Sequence, residues 1–149
     1  MPDEIEFLIV GLGNPGEEYE HTPHNLGFLA VDRLAEANAI RMTRKENASL
    51  VGLGEIRRRK VALAKPQTFM NLSGPAVKGL LERYGLKPDR LILVYDELAL
   101  PWGELRIRGN GSSAGHNGIK SLLSSLGTDR FARVRVGIHP GPNRGDAAK

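Results

Sequence analysis

The chain has 149 residues, 40% hydrophobic and 26% charged, with a net charge of +4 and no cysteine. This is the composition of one globular domain with its own core, and it excludes disulfides, thiolate metal ligands and a cysteine nucleophile. No apolar run approaches the roughly 20 residues that span a membrane, and the start Met1-Pro2-Asp3-Glu4 is acidic where a secretory leader would be basic, so a cytoplasmic protein is expected.

Ile5 to Val10 is apolar, rich in β-branched residues and ends at Gly11, which reads as a buried strand. A Gly/Pro/Asn/Glu loop follows to Pro23. A helix is expected from His24 to Asn38, with Leu26, Leu29, Ala30, Leu34 and Ala37 on one stripe. Two strands, Leu50 to Ile56 and Lys60 to Ala64, flank the basic turn Arg57-Arg58-Arg59. The spacing of Val77, Leu80, Leu81 and Tyr84 predicts a helix over Gly74 to Tyr84, with Ser73 as N-cap, Pro75 in the first turn and Gly85 as terminator. Leu91 to Tyr95 is a second continuous apolar strand, and Glu104 to Arg108 alternates like a strand. Ile119, Leu122, Leu123 and Leu126 mark a third helix closed by Gly127, and Val134 to Ile138 forms the last strand. Strands alternating with helices predict a single α/β domain over residues 1–149, three-layered, with helices around a twisted mixed, mostly parallel sheet.

In such folds ligands gather at the carboxyl ends of the strands. Three polar loops occupy that position, Gly11 to Asn25, Lys65 to Gly74 and Tyr95 to Gly103, and a fourth, Gly109 to Gly118, opens the third helix. The first contains Gly11-x-Gly13-x-x-Gly16 after a strand, the spacing of a dinucleotide fingerprint. However, Pro15 interrupts it, Glu17 and Glu18 would repel a phosphate, and the helical stripe begins only near His24. His24 at a helix start suits a neutral imidazole, the state of a general base, although a lone histidine there is more often a cap or surface group. Asp96 ends an apolar strand, where a carboxylate needs a partner. It could orient a histidine or simply begin a turn. Asn14, Asn71 and Asn117 each lie in one of these loops, where an amide can hold a water or an oxyanion, or serve only as a turn residue. His21 and His24 lack a third metal ligand, so no metal is expected, and no G-x-S-x-G motif is present, so a serine nucleophile is not expected either.

The cations are unevenly placed: residues 1–99 carry a net −1 and residues 100–149 a net +5, and 14 of the 21 Lys/Arg are arginine. Arg106 and Arg108 alternate on one strand and Arg133 and Arg135 on another, so each pair shares a face. Such a surface fits a duplex phosphate backbone, or an ordinary solvated sheet edge.

The blocks LIVGLGNPG, TPHNLGF, KPQTFMNLSG, LILVYDELALPWG, GSSAGHNGIKSL and FARVRVGIHPGP occur in this order from Leu8 to Pro142. The chain resembles the bacterial peptidyl-tRNA hydrolases in all of them. The resemblance implies hydrolysis of the ester between a peptide and the 3′-terminal ribose of tRNA by a monomer without metal or cofactor. It assigns His24 as catalytic base and Asp96 as its partner, with Asn14 and Asn71 contacting substrate and transition state. Asn117 would hold the peptide end or a water, Tyr19 and Met70 would line the site, and Arg106, Arg108 and Arg133 would meet tRNA phosphates along the acceptor stem. Two departures stand out: Pro23 replaces the family's usual Arg, and the chain ends at Gly145-Asp146-Ala147-Ala148-Lys149 where the family continues into a C-terminal helix. The alternative is a catalytically silent RNA-binding relative, against which the retained His24, Asp96 and asparagines speak.

Overall fold

Leu8 and Val10 point to one face of strand β1 (Phe7–Gly11), Phe7 and Ile9 to the other, and both faces are covered. The computed structural model describes residues 4–13, 25–101, 104–113 and 116–139. Within it, β1 lies at the middle of a seven-stranded sheet. The other strands are β2 (Arg44–Glu46), β3 (Ser49–Ile56), β4 (Arg59–Pro66), β5 (Leu91–Pro101), β6 (Leu105–Arg108) and β7 (Ala132–His139), in the order β2-β3-β4-β1-β5-β7-β6. The β4/β1, β1/β5 and β5/β7 pairs are parallel, whereas β2/β3, β3/β4 and β6/β7 are antiparallel. The expected mixed sheet is therefore present, with its parallel part confined to the four central strands.

Helix α1 (Leu26–Ala37) covers one face, with Val31 and Ala35 against Val61 and Leu63. Helices α2 (Ser73–Arg83) and α3 (Asn117–Leu126) cover the other, where Val77, Leu80, Ile119 and Leu122 meet Leu8, Val10, Leu91 and Leu93. Each fully buried Leu, Ile or Val contributes about 1.5–3 kcal/mol, so this double-sided core carries the three-layer arrangement. Helix α2 ends as its sequence predicts: Gly85 takes φ +66°, Gly85 N donates to Glu82 O and Leu86 N donates to Leu81 O. Ser73 is not the N-cap; Leu72 occupies that position, and a 3-10 turn (Met70–Leu72) runs directly into the helix. The turn draws Ser73 into the helix, where its buried hydroxyl has no hydrogen-bond partner among the described residues. No helix among the described residues is long and apolar enough to cross a membrane.

Where α1 crosses β1 the backbones nearly touch. A Cβ on Gly27 would lie 2.4 Å from both Leu12 O and Val94 O, and one on Gly11 would lie 2.2 Å from Gly27 O. Gly11 and Gly27 are thus accounted for by close packing of helix on sheet rather than by a phosphate cradle.

Candidate active site

The carboxyl ends of β1, β4, β5 and β7 lie at one end of the sheet, and the segments leaving them bring the described candidates together. After β4 the chain passes Phe69 and enters the 3-10 turn, which carries Met70 and Asn71. Gly74 N donates to Ser121 Oγ at 2.8 Å, and a Cβ on Gly74 would sit 2.2 Å from Ser121 O, so the start of α2 is pressed against α3. Met70 Sδ, Leu12 Cδ1 and the His116 ring all converge on Gly118, each within about 3.1 Å of where a Cβ would stand. Asn71 and Asn117 consequently project from adjoining turns, and both are exposed. Met70 is half-buried beneath them and packs against the main core.

Asp96 lies further along β5. That strand continues to Pro101, so the segment expected to be a loop from Tyr95 is largely extended. Asp96 is only 4% exposed. A carboxylate so deeply placed requires hydrogen-bond donors. One of them is a residue that sequence reasoning missed: His116 Nε2 lies 3.3 Å from Asp96 Oδ1. His116 also caps α3, its Nδ1 accepting from Gly118 N at 3.1 Å and Ile119 N at 3.3 Å. The only local signal is a histidine just before a helical stripe, since the link to Asp96 spans 20 residues. Tyr95 meets the same imidazole edge-on, with centroids 4.7 Å apart and planes at 65°. Burial pushes the Tyr95 hydroxyl above its ordinary range, against the opposing pull of Arg133 and Arg135. Asn14, Tyr19 and His24 lie outside the described residues.

Beside this cluster the register of β6 on β7 pairs Arg106 with Arg135 and Arg108 with Arg133, placing the four arginines on one face. A cavity of about 220 Å³ there is lined by Tyr95, Glu97, Arg108, Arg133, Arg135 and the Asn110–Ser112 segment. Arg106 and Arg108 are exposed, and so are Leu105 and Ile107 on the other face of β6. Arg133 differs from the expected phosphate-facing surface residue. It is 2% exposed, donates from Nη1 to Ser112 O (2.8 Å) and from Nη2 to Asp129 O (3.0 Å), and stacks over Phe131 at 4.5 Å. Covered by the loop it holds, Arg133 anchors the segment leading to α3. Arg135, which shares with Arg133 the face expected to fit a phosphate backbone, lines the cavity and donates to Glu97 Oε1 at 3.0 Å. Arg133 and Arg135 each keep a buried Nε–H with no acceptor among the described residues.

Among the described residues, no group of three or more His, Cys, Asp or Glu is disposed to hold a metal. The family model described as peptidyl-tRNA hydrolase matches residues 8–149. A peptidyl-tRNA hydrolase of Solibacter usitatus is 58% identical over 135 residues, 91% of this chain and 69% of that one. One from Brevibacillus brevis is 51% identical over 138 residues, 92% and 73% of the two chains. The crystal structure of peptidyl-tRNA hydrolase from Acinetobacter baumannii superposes with a TM-score of 0.86 at 37% identity, covering 95% of this chain and 72% of that one.

Proposed function

This chain belongs to the peptidyl-tRNA hydrolase family, hydrolases of the ester bond in peptidyl-tRNA, and we propose that it cleaves that ester with His24 as general base and Asp96 as the base's orienting partner. In this reaction a water attacks the ester carbonyl while His24 takes its proton, and the same proton passes to the tRNA 3′-terminal ribose oxygen as it leaves. The products are a free peptide and a tRNA ready for reuse. Asn14 and Asn71 donate amide hydrogens to substrate and to the oxyanion, which bears full charge only in the tetrahedral intermediate. Asn117 receives the peptide end, and Met70 and Tyr19 line its path.

The observation that carries this reading is the placement of Asp96: a carboxylate 4% exposed, two residues beyond the last β1–β5 pair at Val94 and 3.3 Å from the imidazole of His116, the residue before Asn117. A buried acid held by a hydrogen bond can fix the tautomer and orientation of an imidazole, and so strengthen a base. For the tRNA, Arg106 and Arg108 contact acceptor-stem phosphates, aided by Arg135. The exposure of the first two and the unsatisfied Nε–H of the third support an anionic ligand on that face. The enzyme acts as a cytoplasmic monomer. Incubation with N-acetylated aminoacyl-tRNA tests the proposal: release of deacylated tRNA is expected, and an intact ester after hours of incubation would refute it.

A further inference from the structure

A helix N-cap is normally Ser, Thr, Asp or Asn, whose short side chain accepts one or two of the first free N–H groups. In α3 that place is taken by His116, with extended backbone (φ −74°, ψ 121°) and Nδ1 turned to Gly118 N and Ile119 N. Those two donors require Nδ1 to be an acceptor, so in the neutral ring the proton stands on Nε2. Nε2 in turn points at Asp96 Oδ1, 3.3 Å away. A serine or asparagine cap would satisfy the helix equally well but would not reach Asp96.

The ring is also fixed in place. Tyr95 meets it edge-on. A Cβ on Gly118 would stand 3.1 Å from His116 Cε1, so the glycine lets the ring pack close to the start of α3. The backbone amides set the tautomer, the tautomer sets the donor, and the donor is aimed at the carboxylate.

We propose that His116 is a positioning residue: as the Nε2–H tautomer locked by the first amides of α3, it holds the Asp96 carboxylate in the orientation its partner histidine requires. This rests on the reading of Asp96 as the orienting partner of His24, and it makes α3 the rigid element to which that pair is referenced. A hydrogen bond of this kind supports the reacting groups without touching substrate. Its loss therefore lowers turnover and leaves binding nearly unchanged.

The decisive variant is His116→Asn, because the Asn carbonyl can replace Nδ1 as the cap while nothing replaces Nε2. The expected result is a kcat about 10-fold lower, with KM within about 2-fold and a melting temperature within about 2 °C of wild type. In an Asp96→Asn background the same change should have no further effect on kcat, since its route through the carboxylate is already lost. A normal kcat in His116→Asn, or an equal loss in both backgrounds, overturns the proposal. A normal kcat in Asp96→Asn alone removes the His24–Asp96 reading itself, and the role of His116 with it. Impaired Asp96→Asn beside a normal His116→Asn removes only the role of His116. Should His116→Asn fail to fold, the imidazole ¹⁵N resonances of the wild-type protein decide: a protonated Nε2 and unprotonated Nδ1 are expected, and the reverse tautomer refutes the proposal.

Discussion

Replacing Gly27 by alanine sets two effects of opposite sign against each other. Inside a helix, alanine is favoured over glycine by about 1 kcal/mol, so propensity alone would make the variant more stable. The new methyl, however, would lie 2.4 Å from Leu12 O and Val94 O and 2.7 Å from Leu12 N, all backbone atoms of the sheet side. An ordinary contact at 3.4 Å requires α1 to retreat by about 1 Å. A gap of that size forfeits a quarter to a half of each van der Waals contact that Val31 and Ala35 make with the sheet. Overpacking of this kind costs about 3 kcal/mol, so the net destabilisation is about 2 kcal/mol once propensity is credited. For a chain of this length that corresponds to a melting temperature lower by about 4–8 °C. The consequence for function is larger. Gly27 follows His24 by three residues, and a misplacement of about 1 Å can lower turnover about 100-fold. Thermal unfolding and single-turnover hydrolysis on the same preparation measure both effects. A Gly27→Ala variant that melts higher than wild type and turns over normally would refute the reasoning.

Arg133→Ala removes two buried hydrogen bonds to carbonyl oxygens and should cost roughly 2–4 kcal/mol in urea unfolding; Arg133→Lys should not restore it, since one ammonium cannot serve both Ser112 and Asp129 as the fork does. Arg106→Ala and Arg108→Ala should leave stability unchanged but flatten the salt dependence of tRNA binding by about 0.7–0.9 per lost contact, and unchanged slopes would make them ordinary surface residues. The third expectation concerns Glu46, where burial alone would push the carboxyl up but hydrogen bonds from Tyr84 and Arg44 outweigh it and hold it low; burial, and then the Glu46 carboxylate, push the Tyr84 hydroxyl up to about 12. A lowered carboxyl stabilises the fold above its unfolded value and loses that contribution as pH falls through the folded one, whereas a raised tyrosine stabilises below its unfolded value of 10.0 and loses it as pH rises towards 12. Tyr84→Phe should therefore be less stable at neutral pH and should weaken both the acid and the alkaline loss seen in equilibrium unfolding of the wild type.

Local periodicity explains why so much of the architecture was legible. The stripe Ile119, Leu122, Leu123, Leu126 with Gly127 behind it allows one reading, and α3 ends at that glycine in the left-handed conformation. Strand β2 carried no such signal. Its Arg44-Lys45-Glu46 is charged throughout and is a strand only because Arg44 pairs with Val51 and Glu46 with Ser49. Alternation put Arg106 and Arg108 on one shared face, but it could not reveal that both faces of β6 are exposed or that the Ser112 loop folds over Arg133. The candidate site divides along the same line. Asp96, Asn71 and Asn117 stood out because each is polar in a loop near the end of a strand or the start of a helix, whereas Met70 was named only through the family resemblance. His116 did not, because its meaning lies in a carboxylate that only the parallel sheet brings alongside.

The central claim is that His24 acts as the base, and single-turnover hydrolysis of N-acetylated aminoacyl-tRNA by His24→Ala tests it most directly, with tRNA affinity and the circular dichroism spectrum followed in parallel. The account predicts a rate lower by about 10²–10⁴-fold, tRNA affinity close to wild type and an unchanged spectrum. A folded His24→Ala protein that cleaves the ester at the wild-type rate would contradict it.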